Sequence, residues 1–537
     1  DFRKSTVYQI YPKSFCDSNQ DGVGDLRGII SKLDYIKKLG VDYIWMTPFF
    51  VSPQNDNGYD VEDYYQIDPR YGTMQDVEEL IEEADKRNIK LMFDMVFNHV
   101  STRHEWFQKA MEGDPYYKDF FFFRKGKENG EPPTNWESKF GGSAWEYVEK
   151  FDEYYLHLFD VTQADLNWDN ENVRREIQKI VKFWMDKGVK GFRFDVINLI
   201  SKGAFEDDTL GDGRKYYTDG PNIHKYLKEL HDMTFGTDAE IVTVGEMSST
   251  SIENCYDYAG EKTGELSMVF SFHHLKVDFM GNEKWVLVPA DFRKLKHILF
   301  EWQTKMEAHH AWNALFWCNH DQPRVVSRFG DEGKYWKESA KMLATMIHLM
   351  RGTPYIYQGE EIGMTNAGFT DISQYRDVES LNHFRILQEK GLTESDAYRI
   401  LQIHSRDNSR TPMQWDTSAH AGFTGSKKTQ PWISVNPNYT HINAAQQMEE
   451  EDSIFCYYKK LVALRKELDI ISYGSIEPLD ISHPCIFAYK RTYEGQEMLV
   501  VANFYGRDCE WKYKTELKDF QCILSNYKNI RKPENNI

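Results

Sequence analysis

Residues 191–196 read GFRFDV, a short apolar run that ends in an acid, and the fold turns on this stretch. A strand that is apolar on both faces belongs in a buried parallel sheet. In a β/α barrel the C-terminal end of such a strand opens onto the active-site face, so Asp195 is placed to meet a ligand. Two more runs have the same form: EIVTVGE (240–246) ends at Glu246 and ALFWCNHD (314–321) ends at Asp321. One strand-end acid can be a helix cap or an arginine's partner; three together point to sugar chemistry.

Outward from these runs, strand-like and helix-like periods alternate. VYQIYP (7–12) leads to a stripe of Leu26, Ile29, Ile30, Leu33 and Ile36 that predicts one helix, stopped at Gly40. DYIWMTP (42–48) leads to Val77, Leu80, Ile81 and Ala84 at helical spacing, with Thr73 and Asp76 as the expected capping pair. KLMFDMVF (90–97) reads as a third strand. From about Val100 to Trp168 the alternation breaks, and this aromatic and polar stretch is expected to form a small irregular inserted subdomain, residues 100–168. Alternation resumes through GFRFDV, EIVTVGE, LSMVF (266–270), ALFWCNHD and TPYIYQG (353–359). The count reaches eight, which predicts an α/β protein built on a closed (β/α)8 TIM barrel of residues 1–99 and 169–468. A long elaboration is expected over about 363–450. CIFAYKRTY (485–493) and MLVVANF (498–504), joined by the turn-forming YEGQ, alternate as antiparallel strands, so residues 469–537 are expected to form a C-terminal β-sandwich domain.

The 537 residues are 41% hydrophobic and 15% aromatic, enough for a large core and several domains. A net charge of −19 repels nucleic acid and anionic membrane alike, and neither is expected as a partner. Seven cysteines (16, 255, 318, 456, 485, 509 and 522) lack CxxC pairing or metal-ligand spacing, and so sparse a set reads as reduced thiols and a cytoplasmic location. No apolar leader segment follows Asp1, and no run approaches the ~20 apolar residues of a membrane span. A monomer is expected.

DMVFNH (94–99), GFRFDV, GE (245–246) and NHD (319–321), in that order, resemble the α-amylase superfamily, glycoside hydrolase family 13. QADLNW (163–168) and SRDNSRTPMQW (405–415) extend the likeness over nearly the whole chain. Within the superfamily the chain is similar to the oligo-1,6-glucosidase, dextran glucosidase and trehalose-6-phosphate hydrolase group, and VGEMSST, FHHLKVD and FWCNHDQPR look like the last of these. The resemblance implies a retaining hydrolase with Asp195 as nucleophile and Glu246 as acid/base, the two carboxyls about 5 to 5.5 Å apart. Arg193, two residues before Asp195 on the same strand face, is suited to keep it ionised. Glu246 has to arrive carrying a proton, which asks for a less polar or negatively crowded setting. By the same likeness Asp321 and His320 grip the sugar 2- and 3-hydroxyls, His99 contacts the 6-hydroxyl and Asp94 orients Arg193. Exo action is implied by Asp56 of DNGYD and Arg410 of DNSR on the terminal 4-hydroxyl, with Tyr59 stacked on that glucose. Val196, after the nucleophile, resembles the α-1,6 and trehalose-6-phosphate enzymes, and endo-acting amylase is disfavoured.

A phosphorylated disaccharide needs cationic donors near its second sugar, and no P-loop-like glycine run supplies them. Lys276 in FHHLKVD and Lys284 in EKW occupy positions similar to those proposed for phosphate contact in the trehalose-6-phosphate branch. The implied substrate is trehalose 6-phosphate, split into glucose and glucose 6-phosphate. An oligo-1,6-glucosidase or dextran glucosidase stays open as the alternative, and a non-catalytic protein of the same fold as a remote one. DSNQDGVGD sets oxygen donors at Asp17, Asn19, Asp21, the Val23 carbonyl and Asp25, much like an EF-hand loop, so a structural Ca2+ is expected there. No organic cofactor is expected.

Overall fold

The computed structural model describes residues 1–513 and 520–530. Eight strands run parallel in one sheet: β1 (Val7–Ile10), β2 (Tyr43–Met46), β3 (Lys90–Met95), β4 (Gly191–Phe194), β5 (Val242–Glu246), β6 (Met268–Phe270), β7 (Ala314–Leu315) and β8 (Thr353–Tyr357). Their spatial order is β6-β5-β4-β3-β2-β1-β8-β7. A single parallel bridge between Val269 and Asn313 joins the two ends and closes the barrel. Every residue of these strands except Lys90 is buried, which is why they read as unbroken apolar runs.

Local signals place the elements well, with instructive exceptions. Thr73 caps the helix α1 (Met74–Asp85) reciprocally with Asp76, at 3.2 and 2.9 Å. The stripe from Leu26 to Ile36 carries two helices rather than one, Leu26–Ser31 and Leu33–Leu39, because Lys32 leaves helical geometry at φ −109°, ψ 5°. Gly40 ends the second at φ 96°. ALFWCNHD supplies only a two-residue strand. The Phe316 carbonyl pairs with His274 Nε2 at 2.8 Å instead of a neighbouring strand, and the following residues turn into the pocket.

The insertion is more regular than its sequence suggests. It holds an antiparallel sheet of Phe123–Arg124, Glu153–Leu156 and Trp145–Val148. Strands this short show too few alternations to be read. At its root His99–Ser101 pairs antiparallel with Gln163–Asp165, so the chain enters and leaves side by side. Lys202, buried after β4, pins that root: its ammonium bonds Asp165 at 2.8 Å, Asn98 at 2.9 Å and the Leu199 carbonyl at 2.6 Å. The long elaboration packs Phe369, Phe384, Leu387 and Leu401 into a core of its own. The C-terminal region forms one antiparallel sheet, β9 (Ser475–Leu479), β10 (Ile486–Tyr493) and β11 (Gln496–Asn503), in that order. Among the described residues no second sheet faces it, and the expected sandwich also involves 514–519 and 531–537, which lie outside them.

Candidate active site

Strand register gathers the acids. Arg193 on β4 sits opposite Asp94 of β3 and Val244 of β5, and alternate residues share a face, so Asp195 and Glu246 follow on the same side. The Asp195 N–H donates to the Met95 carbonyl at 3.0 Å, which seats the carboxylate just past the strand end. The next residue, Val196, is left-handed at φ 37°, ψ 40°, a conformation that a β-branched side chain adopts only under strain.

Arg193, fully buried, organises the cluster. Its Nη1 donates to both Asp94 oxygens at 2.9 and 3.1 Å and to Asp195 Oδ1 at 2.7 Å, while Nη2 meets Glu246 Oε2. Its guanidinium lies 4.9 Å from the Trp45 ring centroid. Asp94 also accepts from Trp45 Nε1 at 3.0 Å and Tyr59 Oη at 2.9 Å, so it is held from two sides and fixes Arg193 in turn. Burial pushes the Asp195 carboxyl up to about 7; Arg193 opposes that push and Asp94 adds to it. The sequence reading expects an apolar or anionic setting for Glu246, and the residue meets a cation instead, shared with two other acids. One positive charge facing three carboxylates leaves a proton to the cluster as a whole. Two carboxylates held by one guanidinium are close neighbours. That suits the nucleophile and acid/base of a retaining hydrolase, whose carboxyls lie ~5 to 5.5 Å apart.

Two histidines face the same pocket in neutral form. His320 lies between Tyr11 and Tyr59, ring centroids 6.0 and 5.2 Å away and its plane nearly parallel to both. Gln9 Nε2 donates to its Nδ1 at 2.8 Å, which leaves the proton on Nε2, 3.3 Å from Asp321 Oδ2. His99 Nε2 donates to the Tyr59 carbonyl at 3.1 Å, and its Nδ1 accepts from Asn98 at 3.1 Å. Burial pushes His320 down to about 3 and His99 to about 4. Both therefore face the pocket uncharged, His320 with its Nε2–H toward Asp321 and His99 with both ring nitrogens held by the protein.

The far wall is built from the elaboration. Arg410 Nη2 donates to Asp321 Oδ1 at 2.9 Å and its Nε to the His320 carbonyl at 2.8 Å. Asp56 accepts from Gln163 Nε2 at 3.0 Å, and the cation nearest it is Arg406, 4.0 Å away, not Arg410. Arg406 joins the wall together: it bonds Asp377 at 2.6 Å and reaches Glu379 at 3.3 Å and Asp321 at 3.4 Å. Burial would raise Asp321, but His320, Arg406 and Arg410 together hold its carboxyl well below the usual range. Burial carries Asp56 up to about 7 against the pull of Arg406.

The sequence reading thus has Asp195, Glu246, Asp321, Asp56, Tyr59, His99, Arg193, His320 and Arg410 in one site. It missed Arg406, Asp377 and Gln163. Arg406 stood in the quoted SRDNSR, where two arginines four residues apart across a short 3-10 turn could have been read as a pair. Lys276, in the loop after β6, makes no side-chain hydrogen bond or ion pair among the described residues. Lys284 pairs with Glu379 at 3.1 Å and lies over the Trp285 ring. Among the described residues no group of three or more His, Cys, Asp or Glu is arranged to hold a metal. In the Asp17–Asp25 loop the acids bind their own backbone: Asp17 accepts from Asn19, Gln20 and Gly22, and Asp25 from Ser18 and Gly28.

Comparison with known proteins agrees with this geometry. The family described as alpha amylase, catalytic domain, matches residues 9–474. Trehalose-6-phosphate hydrolase of Bacillus subtilis is 56% identical over 94% of this chain and 90% of its own length. Oligo-1,6-glucosidase of Bacillus cereus is 49% identical over 100% and 97%. The crystal structure of Bacillus licheniformis trehalose-6-phosphate hydrolase superposes with a TM-score of 0.95 at 54% identity, covering 100% of this chain and 97% of that one. With the buried Arg193 cluster at the mouth of an eight-stranded barrel, these matches show that the chain belongs to the α-amylase family of glycoside hydrolases.

Proposed function

We propose that this chain is a retaining, exo-acting α-glucosidase that hydrolyses trehalose 6-phosphate to glucose and glucose 6-phosphate. Asp195 attacks the anomeric carbon and forms a glucosyl ester while a protonated Glu246 gives its proton to the departing glycosidic oxygen. Glu246 then takes a proton from water, whose oxygen attacks the same carbon and frees Asp195. Arg193 stabilises the carboxylate returned in each half-reaction. Asp321 and His320, braced by Arg406 and Arg410, hold hydroxyls that bind more tightly as charge develops on the ring. Asp56 with Arg406 closes the far end, which confines the site to a terminal glucose.

The observation that carries the phosphorylated substrate is the unpartnered ammonium of Lys276 on the loop after β6, the strand beside Glu246. Lys284 serves either by leaving Glu379 for the phosphate or by bracing the wall through it. The relatives named trehalose-6-phosphate hydrolase support the same reading, and the oligo-1,6-glucosidase at 49% supplies the alternative. Hydrolysis rates for trehalose 6-phosphate, trehalose, isomaltose and a nitrophenyl α-glucoside decide between them, with Asp195→Asn as the inactive control. A preference for the phosphate ester is expected; a preference for isomaltose would move the protein to the 1,6-glucosidases, and no hydrolysis of any would leave a binding protein.

Two accessory readings complete the proposal. The Asp17–Asp25 loop is stapled to the elaboration, with Asp17 N–H on the Phe423 carbonyl at 2.8 Å and Trp432 N–H on that of Gly22 at 2.9 Å. Asp17, Asn19, Asp21, Asp25 and the Val23 carbonyl are hard oxygen donors of the type calcium takes, and the ion would lock that junction rather than enter the chemistry. Titration calorimetry on chelator-treated protein should show heat on adding Ca2+. A monomer in the cytoplasm fits the phosphorylated substrate, and no helix of the described residues is long and apolar enough to cross a membrane.

A further inference from the structure

The rim of the pocket on the leaving-sugar side carries positive charge that the protein itself does not neutralise. Lys139, in the inserted subdomain, is half-buried, and its ammonium makes no hydrogen bond or ion pair among the described residues; it lies 5.5 Å from the centroid of the Tyr217 ring. Lys276 is likewise unpaired. Both feel the charge of Arg214, whose own partner is Asp212, with contacts of 2.6 to 3.1 Å. Three cations against one carboxylate leave an excess of two positive charges in a chain whose net charge is −19. A phosphate monoester carries about −1.5 to −2 near neutral pH, so the excess matches one such group.

Position selects the same ligand. Phe140, next to Lys139, packs against Phe159 at 5.6 Å, which in turn meets His99 at 5.0 Å, and Arg406 lies 5.7 Å from the Phe140 ring centroid. The segment therefore forms part of the rim over the glucose pocket. On its other side Tyr217 packs in one buried cluster with Val196, the residue after Asp195. Lys139 stands between these two, next to Phe140 in the chain and over the Tyr217 ring.

We infer that Lys139 is a specificity-determining residue of this site, its ammonium binding the phosphate of the leaving sugar together with Lys276. The inference rests on the phosphorylated-substrate reading above. Burial pushes the Lys139 ammonium down to about 8, with Arg214, Lys276 and Lys202 adding to the push and Asp212 opposing it. A bound dianion reverses that imbalance, so the site is strained without phosphate and relieved with it.

The test compares Lys139→Ala and Lys139→Arg with the unaltered full-length chain, measuring kcat/KM for trehalose 6-phosphate and for trehalose. The ratio of the two should fall about ten- to a hundredfold in K139A, the effect of one lost charge-assisted hydrogen bond, and K139R should recover most of it. In the unaltered chain KM for the phosphate ester should rise as pH passes about 8, and K139R should abolish that rise. A K139A ratio within twofold of the unaltered one would overturn the assignment while leaving the substrate reading intact. Absence of any phosphate preference in the unaltered chain would overturn both.

Discussion

Val196 offers a direct test of whether strain is built in beside the nucleophile. At φ 37° it occupies the left-handed region, where an L-residue with a Cβ costs ~1–2 kcal/mol, and glycine costs nothing comparable. Val196→Ala and Val196→Gly both forfeit the buried branching methyls, ~0.8 kcal/mol each, so their common loss cancels in the comparison. Alanine keeps the backbone strain. Glycine releases it, less ~0.4–1 kcal/mol for the greater freedom of its unfolded chain. Glycine also gives up the buried Cβ, a further ~0.8 kcal/mol, so V196G and V196A should be about equally stable, where at an unstrained position the two costs together would favour alanine by ~1–2 kcal/mol. Calorimetric scans at one fixed rate give the order of the melting temperatures, and turnover of nitrophenyl α-glucoside gives the functional side. Freed from its fixed turn, Asp195 should be held less well, and kcat of V196G should lie about tenfold below that of V196A. If V196G is less stable than V196A by that full ~1–2 kcal/mol, the backbone there stores no strain and the reasoning is wrong.

Three more outcomes follow from the site. Attack requires an ionised Asp195, so kcat/KM for nitrophenyl α-glucoside should fall as pH drops through about 7, and Asp94→Asn, by removing a neighbouring negative charge, should move that limb to lower pH; a shift upward would contradict the charge argument. Asp321 and Asp377 are held well below the ordinary carboxylate value, so the stability they contribute is present above roughly pH 4 and lost as pH falls through their folded values. Arg406→Ala should accordingly raise the pH of acid unfolding, followed by tryptophan fluorescence, and an unchanged midpoint would count against it. Lys202→Met leaves the Asp165 charge buried without its cation, held only by the Leu158 N–H and Asn98, and should cost ~3–5 kcal/mol in chemical denaturation, most of it regained in K202M/D165N; equal stability of single and double variants would deny the ion pair.

What the sequence made legible is what repeats or has a fixed local cost. The eight strands show because each is buried on both faces, and Thr73 with Asp76 shows because a cap is a contact within four residues. Asp195, Glu246 and Asp321 were found because each ends an apolar run. Arg406 was missed because its partners, Asp377 with Glu379, Asp321, and Asp56, come from three separate stretches and meet only in three dimensions. Lys139 fails to stand out for the same reason: its charge becomes unusual only when the folded chain leaves it without an acid. The cation beside Glu246 was not foreseen either, since strand spacing tells which face Arg193 takes but not how many acids share it.

The barrel's closure has a mechanical meaning. Seven of the eight neighbouring strand pairs are joined by runs of two to four aligned residues, while β6 and β7 meet through the lone Val269–Asn313 bridge. The wall is a rolled sheet fastened at one point, and the fastening lies between the strand that leads to Lys276 and the one that leads to Asp321. Breathing at that seam would move the loops after β6 and β7 against each other, while the Asp94–Arg193–Asp195 register on β3 and β4, two to three strands from β6, stays fixed. A local loosening there leaves the nucleophile's strand in register, and amide exchange at residues 268–270 and 313–315 should be the fastest in the barrel wall.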